Sequence, residues 1–350
     1  MIHLCREPDF PLEIISPSLA EQMSELGCPT CMSVIGRDGA LQLMRSFLPR
    51  TFSQSVFSFL QTHFLCTDAL SRVHRGDLVM VYETASIANR FADAAFQHAA
   101  VRKGADYFPI FPDAWPLVKG WLSDCCRRRV ELATAVGCVT PSLVDLFRKL
   151  FPDKRIVLFE ESVPTDAFTP DWNEPDTPVV CWSGPPSKIG EVEKAIPVLE
   201  HIYHSHPFIL RIISGCSPPR LQTDIQIDWR PFSKNAYGQD FIGASIAFAR
   251  YGDSPYNRCK GNYKIKTYMA AGCAIVTSPI GYNLDLIRPG ETGLFAKTRD
   301  EWEQAFLRLL ENPAERIAMR KAARAEAEKR FSFKAIARQY AGVFRSLPLE

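Results

Sequence analysis

The chain has 350 residues, of which 46% are hydrophobic and 23% charged, and its formal net charge is +2. That length exceeds one small core and suits two domains of ordinary size. The near-neutral charge excludes a dedicated nucleic-acid binder, whose surface would be strongly basic.

In chain order, Leu12–Ser16 predicts a strand, Ser18–Leu26 a helix closed by Gly27, and Cys31–Ile35 another apolar stretch. Two helices are expected between Asp38 and Arg75. Asp77–Glu83 predicts a buried strand and Ile87–Lys103 an amphipathic helix ended by Gly104. Strand Tyr107–Phe111, helix Leu117–Ala133, strand Val136–Thr140, helix Ser142–Leu150 and strand Arg155–Phe159 complete the half. Strands separated by helices imply parallel pairing in a doubly wound sheet. Residues 160–178 hold six acidic residues, four prolines and no basic residue, the composition of an interdomain linker.

A second alternating series follows: strand Val179–Ser183, helix Lys188–Tyr203, and strands Phe208–Ile213, Ile225–Trp229 and Ser245–Ala249. The stretch Asn257–Ala296 reads as a lysine-entered helix ending on Gly272, then the apolar strand Cys273–Thr277. A turn, Ser278-Pro-Ile-Gly281, opens a further helix at about Asn283. Asp300–Leu310, Ala314–Arg330 and Phe333–Phe344 predict terminal helices. The expected layout is a first α/β domain over 1–160, a linker over 161–178, a second α/β domain over 179–332, and a terminal helix over 333–350.

No apolar run approaches the roughly 20 residues that cross a bilayer. The N-terminal MIHLCREPDFPLE, broken by charge and proline, does not read as a signal peptide. Eleven scattered cysteines suggest reduced, buried thiols in a cytoplasmic protein, and Cys28-Pro-Thr-Cys31 lacks the second pair of a zinc site. His201, His204 and His206 at a helix end suit the helix dipole better than a metal. Arg127-Arg128-Arg129 is a basic run, read either as a solvated helix face or as a point of peripheral contact with the inner face of a membrane.

The motifs narrow the chemistry. No two glycines are separated by one residue, so the dinucleotide fingerprint is absent, and Gly184–Gly190 lacks the ending of a P-loop. The Ser278–Gly281 turn and the lysines Lys260 and Lys264 suggest an anion site, with a diphosphate as the ligand. Four residues apart, the two lysines would share one face of a helix. Ser183, Gly184 and Lys188, between a strand and a helix, could meet the same anion through hydroxyl, backbone and ammonium. Asp113, in FPDAW, is the first candidate for an acceptor-side carboxylate, and Glu83 the second; either could instead cap a helix. No D-x-D pair or H-E-x-x-H is present to hold a metal.

KIKTYMAAGCAIVTSPIGYNLDLIRPGETGLFA resembles the motif K-x-x-E-Y-M-A-x-G-x-P-V-V-A-S-x-x-G-G-x-x-E-x-I-x-x-G-x-T-G-x-L of the retaining GT-B glycosyltransferases of the family-four (group 1) class. CWSGPPSKIGEVEKAIPVLEHI is similar to the opening of that family's donor domain, and GCVTPSLVDLFRKLFPDKRIVLFEESVPTDAFTP to its crossover; roughly half the chain carries the likeness. The resemblance implies an α/β GT-B fold, two Rossmann-like doubly wound parallel-sheet domains facing a central cleft, with an acceptor-side domain over 1–160, a nucleotide-sugar donor-binding domain over 179–332 and the helix over 333–350 crossing back to the first domain. It also implies transfer of a sugar from a nucleotide-diphosphate donor to a glycan or small-molecule acceptor, with retention of configuration. No cofactor or metal is implied beyond the nucleotide-sugar co-substrate. Lys188 and Lys264 would hold the diphosphate with Lys260 close by, and the backbone from Gly281 through Tyr282 to Asn283 would lie near the sugar. In the front-face mechanism proposed for such enzymes, the donor phosphate takes the acceptor proton.

The family's two glutamates, eight residues apart, are here Cys259 and Thr267, and its second turn glycine is Tyr282. A threonine hydroxyl can still bond the ribose, though without a charge-assisted pair of contacts worth about 1–3 kcal/mol. Tyr282 would narrow the approach to the sugar. These departures sustain an alternative, a catalytically inactive GT-B nucleotide-sugar-binding module. An epimerase-like reading would call for acidic and histidine side chains around the sugar.

Overall fold

The computed structural model describes residues 1–6, 17–34, 69–83, 90–118, 120–215, 217–218, 220–233 and 237–347. The expected strand at Leu12–Ser16, most of the segment between Asp38 and Arg75, and the start of the Ile87–Lys103 helix lie outside the described residues. The chain divides into two compact units: residues 1–161 with 259–261 and 336–350, and residues 162–258 with 262–335.

The first unit contains a six-stranded sheet of β1 (Ile2–Arg6), β2 (Thr30–Val34), β3 (Leu78–Tyr82), β4 (Asp106–Phe111), β5 (Val136–Cys138) and β6 (Ile156–Leu158). Its order is β2-β1-β3-β4-β5-β6, with every neighbour parallel. Helices α1 (Pro17–Glu25), α2 (Arg90–Arg102), α3 (Trp121–Leu132) and α4 (Pro141–Leu150) connect the strands. Helix α3 starts later than expected because Gly120 stands at φ +87 ahead of it. Thr140, expected as the last strand residue, instead caps α4 by accepting the Leu143 N–H at 3.1 Å. Strand β1 had no counterpart among the expectations, since five residues followed by charge and proline show no period.

The second unit contains β7 (Val179–Ser183), β8 (Ile209–Ser214), β9 (Ile227–Pro231), β10 (Ile246–Ala249), β11 (Ala274–Thr277) and β12 (Gly293–Phe295). The order β12-β11-β10-β7-β8-β9 is again wholly parallel, with the reversal between β7 and β10. Short helices α5 (Gly190–Glu193) and α6 (Ile196–Tyr203) replace the single helix expected over Lys188–Tyr203. Pro197 in the first turn of α6 lacks the N–H that a continuous helix would use there. Next come α7 (Pro255–Arg258), α8 (Tyr263–Ala270), α9 (Asn283–Leu286), α10 (Arg299–Glu311) and α11 (Pro313–Phe331). Two apolar clusters, one led by Trp182 and Phe306 and one by Tyr268 and Phe331, form its core.

The last helix, α12 (Phe333–Ser346), completes the core of the first unit. Tyr340 stacks on Phe159 at 3.5 Å between ring centroids, and Phe344 lies 5.8 Å from both Phe108 and Phe159. The acidic stretch after Glu161 is anchored within the second unit. Glu174 pairs with Arg316 at 2.8 Å and Arg320 at 2.9 Å, both guanidinium groups being buried. Trp172 lies under Arg320, 5.4 Å from ring centroid to guanidinium.

Candidate functional site

In a parallel sheet, all strands deliver their carboxyl ends to one edge, which is where such sheets bind ligands. In the second unit that edge carries Ser183 and Gly184 after β7, Tyr251 after β10, and the Ser278–Asn283 turn after β11. The Tyr251 N–H donates to Ser278 Oγ at 3.0 Å, joining two of these loops. Asn283 is fully buried and organises the turn. Its Nδ2 donates to Thr277 Oγ1 at 3.0 Å and to the Ser278 carbonyl at 2.9 Å, while its Oδ1 accepts from Asn262 Nδ2 at 2.7 Å. Asn283 therefore ties the turn to the residue from which α8 starts.

Asn262 stands at φ +47, a left-handed conformation that asparagine tolerates better than most residues. This breaks the helix expected to carry both lysines. Lys264 lies on α8, whereas Lys260 precedes the break and belongs with Cys259–Gly261 in the first unit. The two lysines do not share a helix face. Helix α8 has no side-chain cap, and Lys264 is in its first turn.

Around Lys264 the contacts are close. Its ammonium lies 2.8 Å from Glu191 Oε2 and stands over the Trp182 ring, 4.5 Å from the centroid. A Cβ on Gly184 would come within 2.7 Å of the Trp182 ring and 3.3 Å of Lys264 Nζ, so only glycine fits there. Ser183 is fixed through its backbone N–H, which donates to the Tyr268 hydroxyl at 2.8 Å. Lys188 is exposed, in the single 3-10 turn Pro186–Lys188 that precedes α5. Ser183, Gly184 and Lys264 thus meet at one edge. Glu191, Trp182 and Asn262 had no signal in the sequence, because the Glu191–Lys264 pair spans 73 positions.

The remaining candidates lie elsewhere or point inward. Thr267 is buried, and its Oγ1 shares a 2.8 Å hydrogen bond with the Tyr237 hydroxyl, whose pKa burial pushes well up. Tyr282 is 1% exposed, its ring packed in the core with Lys266 Nζ 5.3 Å from the centroid. The N–H groups of Asn283 and Leu284 are already spent on the carbonyls of Ile280 and Gly281, both at 3.1 Å. Cys259 is buried, and that burial raises its thiol pKa, so it carries no charge in place of a carboxylate.

In the first unit, Asp113 is half-buried just beyond the carboxyl end of β4, close enough to raise the pKa of the buried Tyr82 hydroxyl, behind the larger effects of burial and Glu161. Glu83 is a core residue. It is 1% exposed, pairs with Arg129, and accepts from Tyr107 and from Gln97. Arg129 consequently leaves the basic run, where only Arg127 and Arg128 are exposed. His201 on α6 faces Glu303 at 3.4 Å, and His206, beyond the end of α6, faces Glu311 at 3.2 Å, both partners lying on α10. Among the described residues, no cluster of histidine, cysteine or acidic side chains could hold a metal, and no helix is long and apolar enough to cross a membrane.

Solved structures match almost the whole chain. Sucrose-phosphate synthase from Thermosynechococcus elongatus aligns with a TM-score of 0.67 at 15% identity, over 99% of this chain and 98% of its own. HepE of Anabaena, solved with UDP and glucose, aligns with a TM-score of 0.67 at 13% identity, over 99% of both chains. A glycosyltransferase from Rickettsia africae gives 0.66 at 16% identity, over 99% of this chain and 98% of its own. The fold is GT-B. Residues 245–342 match the family described as glycosyl transferase-like, a segment that includes Lys260, Lys264, Thr267 and the Gly281–Asn283 turn. A search of curated proteins gives no significant match. The likeness to the group 1 GT-B glycosyltransferases therefore rests on this segment and on the two-unit architecture.

Proposed function

We propose that the chain is a glycosyltransferase that takes a sugar from a nucleotide-diphosphate donor and passes it to a glycan or small-molecule acceptor. The observation that carries this reading is the placement of Lys264. A half-buried ammonium lies beside Gly184 and the uncapped start of α8, at the carboxyl edge of a parallel sheet, inside the glycosyl transferase-like segment. Fixed positive charge and a helix N-terminus there would stabilise the charge that builds on a departing diphosphate. Ser183 and the Gly184 backbone would contact the phosphates, and Lys188 is free to swing onto them from the exposed turn. HepE, which shares the fold, has also been solved with UDP-glucose, a molecule of this donor class.

The proposed reaction retains configuration and needs no metal. The acceptor oxygen attacks the anomeric carbon from the face the diphosphate leaves, the bond from that carbon to the phosphate oxygen breaks, and the acceptor proton passes to the phosphate. Asp113 is the proposed acceptor-side carboxylate of the first unit. Lys260, also in that unit, is proposed to approach the diphosphate during turnover. The protein is proposed to work in the cytoplasm, and Arg127 and Arg128 are the cations left for contact with an inner membrane face.

Incubation with UDP-, GDP- and ADP-sugars in the presence of EDTA should release nucleoside diphosphate with at least one donor. Lys264→Ala should slow that release by about 10²–10³ while leaving the melting temperature unchanged. Turnover unaffected by the substitution would remove Lys264 from the chemistry. The second reading, an inactive nucleotide-sugar-binding module, draws on the neutral Cys259 and on the commitment of Thr267 to Tyr237. It predicts nucleotide binding with no release from any donor.

A further inference from the structure

An ammonium in an anion site needs a counter-charge while the ligand is away, and here the chain supplies one. Glu191 Oε2 lies 2.8 Å from Lys264 Nζ, and the same oxygen accepts the Trp182 Nε1–H at 3.2 Å. Trp182 thus holds both partners, the ammonium over its face and the carboxylate at its edge. The Lys264 and Glu191 side chains are 15% and 21% exposed, so the pair is shielded from bulk water but still reachable by a ligand. Like charges this close repel strongly in a partly dry site. An incoming phosphate therefore cannot share the ammonium with Glu191 at no cost.

We propose that Glu191 is an affinity-setting residue, an internal competitor that occupies the anion seat at Lys264 and must be displaced before a phosphate can take it. The proposal rests on the donor-site reading above. Displacement imposes one fixed cost on every anion. Small anions such as inorganic phosphate, with few other contacts, do not meet that cost. A nucleoside diphosphate has further contacts at Ser183, Gly184 and the start of α8, and displaces the carboxylate. Glu191 thereby keeps the seat clear of the abundant small anions of a cell.

The test titrates UDP, GDP, ADP and inorganic pyrophosphate by calorimetry into the full-length wild type, Glu191→Gln, Glu191→Asp and Lys264→Ala, each checked for an unchanged melting curve. Inorganic phosphate then serves as competitor. Glu191→Gln should bind its preferred diphosphate at least tenfold tighter, and phosphate should compete at concentrations at least tenfold lower than with the wild type. Glu191→Asp, which keeps the charge, should resemble the wild type in both respects, and Lys264→Ala should lose binding. Unchanged or weaker diphosphate binding by folded Glu191→Gln, with Lys264→Ala still losing it, would overturn the proposal and leave the donor site standing. No binding of any probe by folded wild type and Glu191→Gln alike would overturn the donor-site reading itself, and this proposal with it.

Discussion

Gly281 has a backbone at φ +52, and a Cβ there would stand 2.4 Å from the Arg258 carbonyl oxygen. Gly281→Ala therefore combines left-handed strain with a backbone overlap that no rotamer can relieve, and should destabilise the second unit by roughly 2–4 kcal/mol in urea titration. This requirement was legible, because a glycine after a strand and before a helix marks a special turn. Lys264 was singled out as one of two lysines entering a helix, but the break at Asn262 that sets it in a helix's first turn, apart from Lys260, was not foreseen. Other residues were misread because their partners are distant in sequence. Glu83 reads as a candidate cleft carboxylate or helix cap and Arg129 as part of an exposed basic run, yet they satisfy one another in the core, 46 positions apart. Tyr282 follows the turn glycine, and only the packing against Lys266 tells that its ring faces inward.

Among the elements, β7, β8, β10 and β11 of the second unit were readable because strands covered on both faces appear as short continuous apolar runs, whereas the three-residue β12 had no counterpart among the expectations. Helices were less exact where one residue interrupts the period. Asn262 divides what looks like one lysine-bearing helix, and the Pro186–Ala195 region breaks another into short pieces. The acidic stretch illustrates a different blindness. Composition gives its polarity, while its partners Arg316 and Arg320 lie more than 140 positions away. Removing Glu174 would leave two buried guanidinium groups with no carboxylate, only backbone carbonyls and, for Arg320, the Trp172 ring. Glu174→Ala should accordingly cost about 3 kcal/mol, read as a lower melting temperature of the second unit. A shift below about 1 kcal/mol would mean that water replaces the carboxylate and that the stretch is only loosely fastened.

For the molecule as a whole, the alternating strand and helix signals disclosed two α/β domains, and the resemblance led us to expect the return of the last helix to the first, but nothing foretold the earlier visit of residues 259–261. Residues 259–261 and 336–350 return to the first unit. Thr140 helps hold the first of these visits, its hydroxyl donating to the Cys259 carbonyl at 2.9 Å. The second visit brings Phe344, buried against Phe108 and Phe159. Phe344→Ala should destabilise the first unit by roughly 3–5 kcal/mol, and a calorimetric scan should show that transition moving while the other stays. Movement of both transitions together would show instead that the units unfold as one. The stacking of Tyr340 on Phe159 has a consequence for biosynthesis. At roughly 5–20 residues per second, Phe159 leaves the ribosome about 10 to 40 seconds before the aromatic rings that cover it. The nascent amino-terminal half must spend that interval with its apolar floor bare, open to chaperones, until the helix bearing Tyr340 and Phe344 arrives to close it.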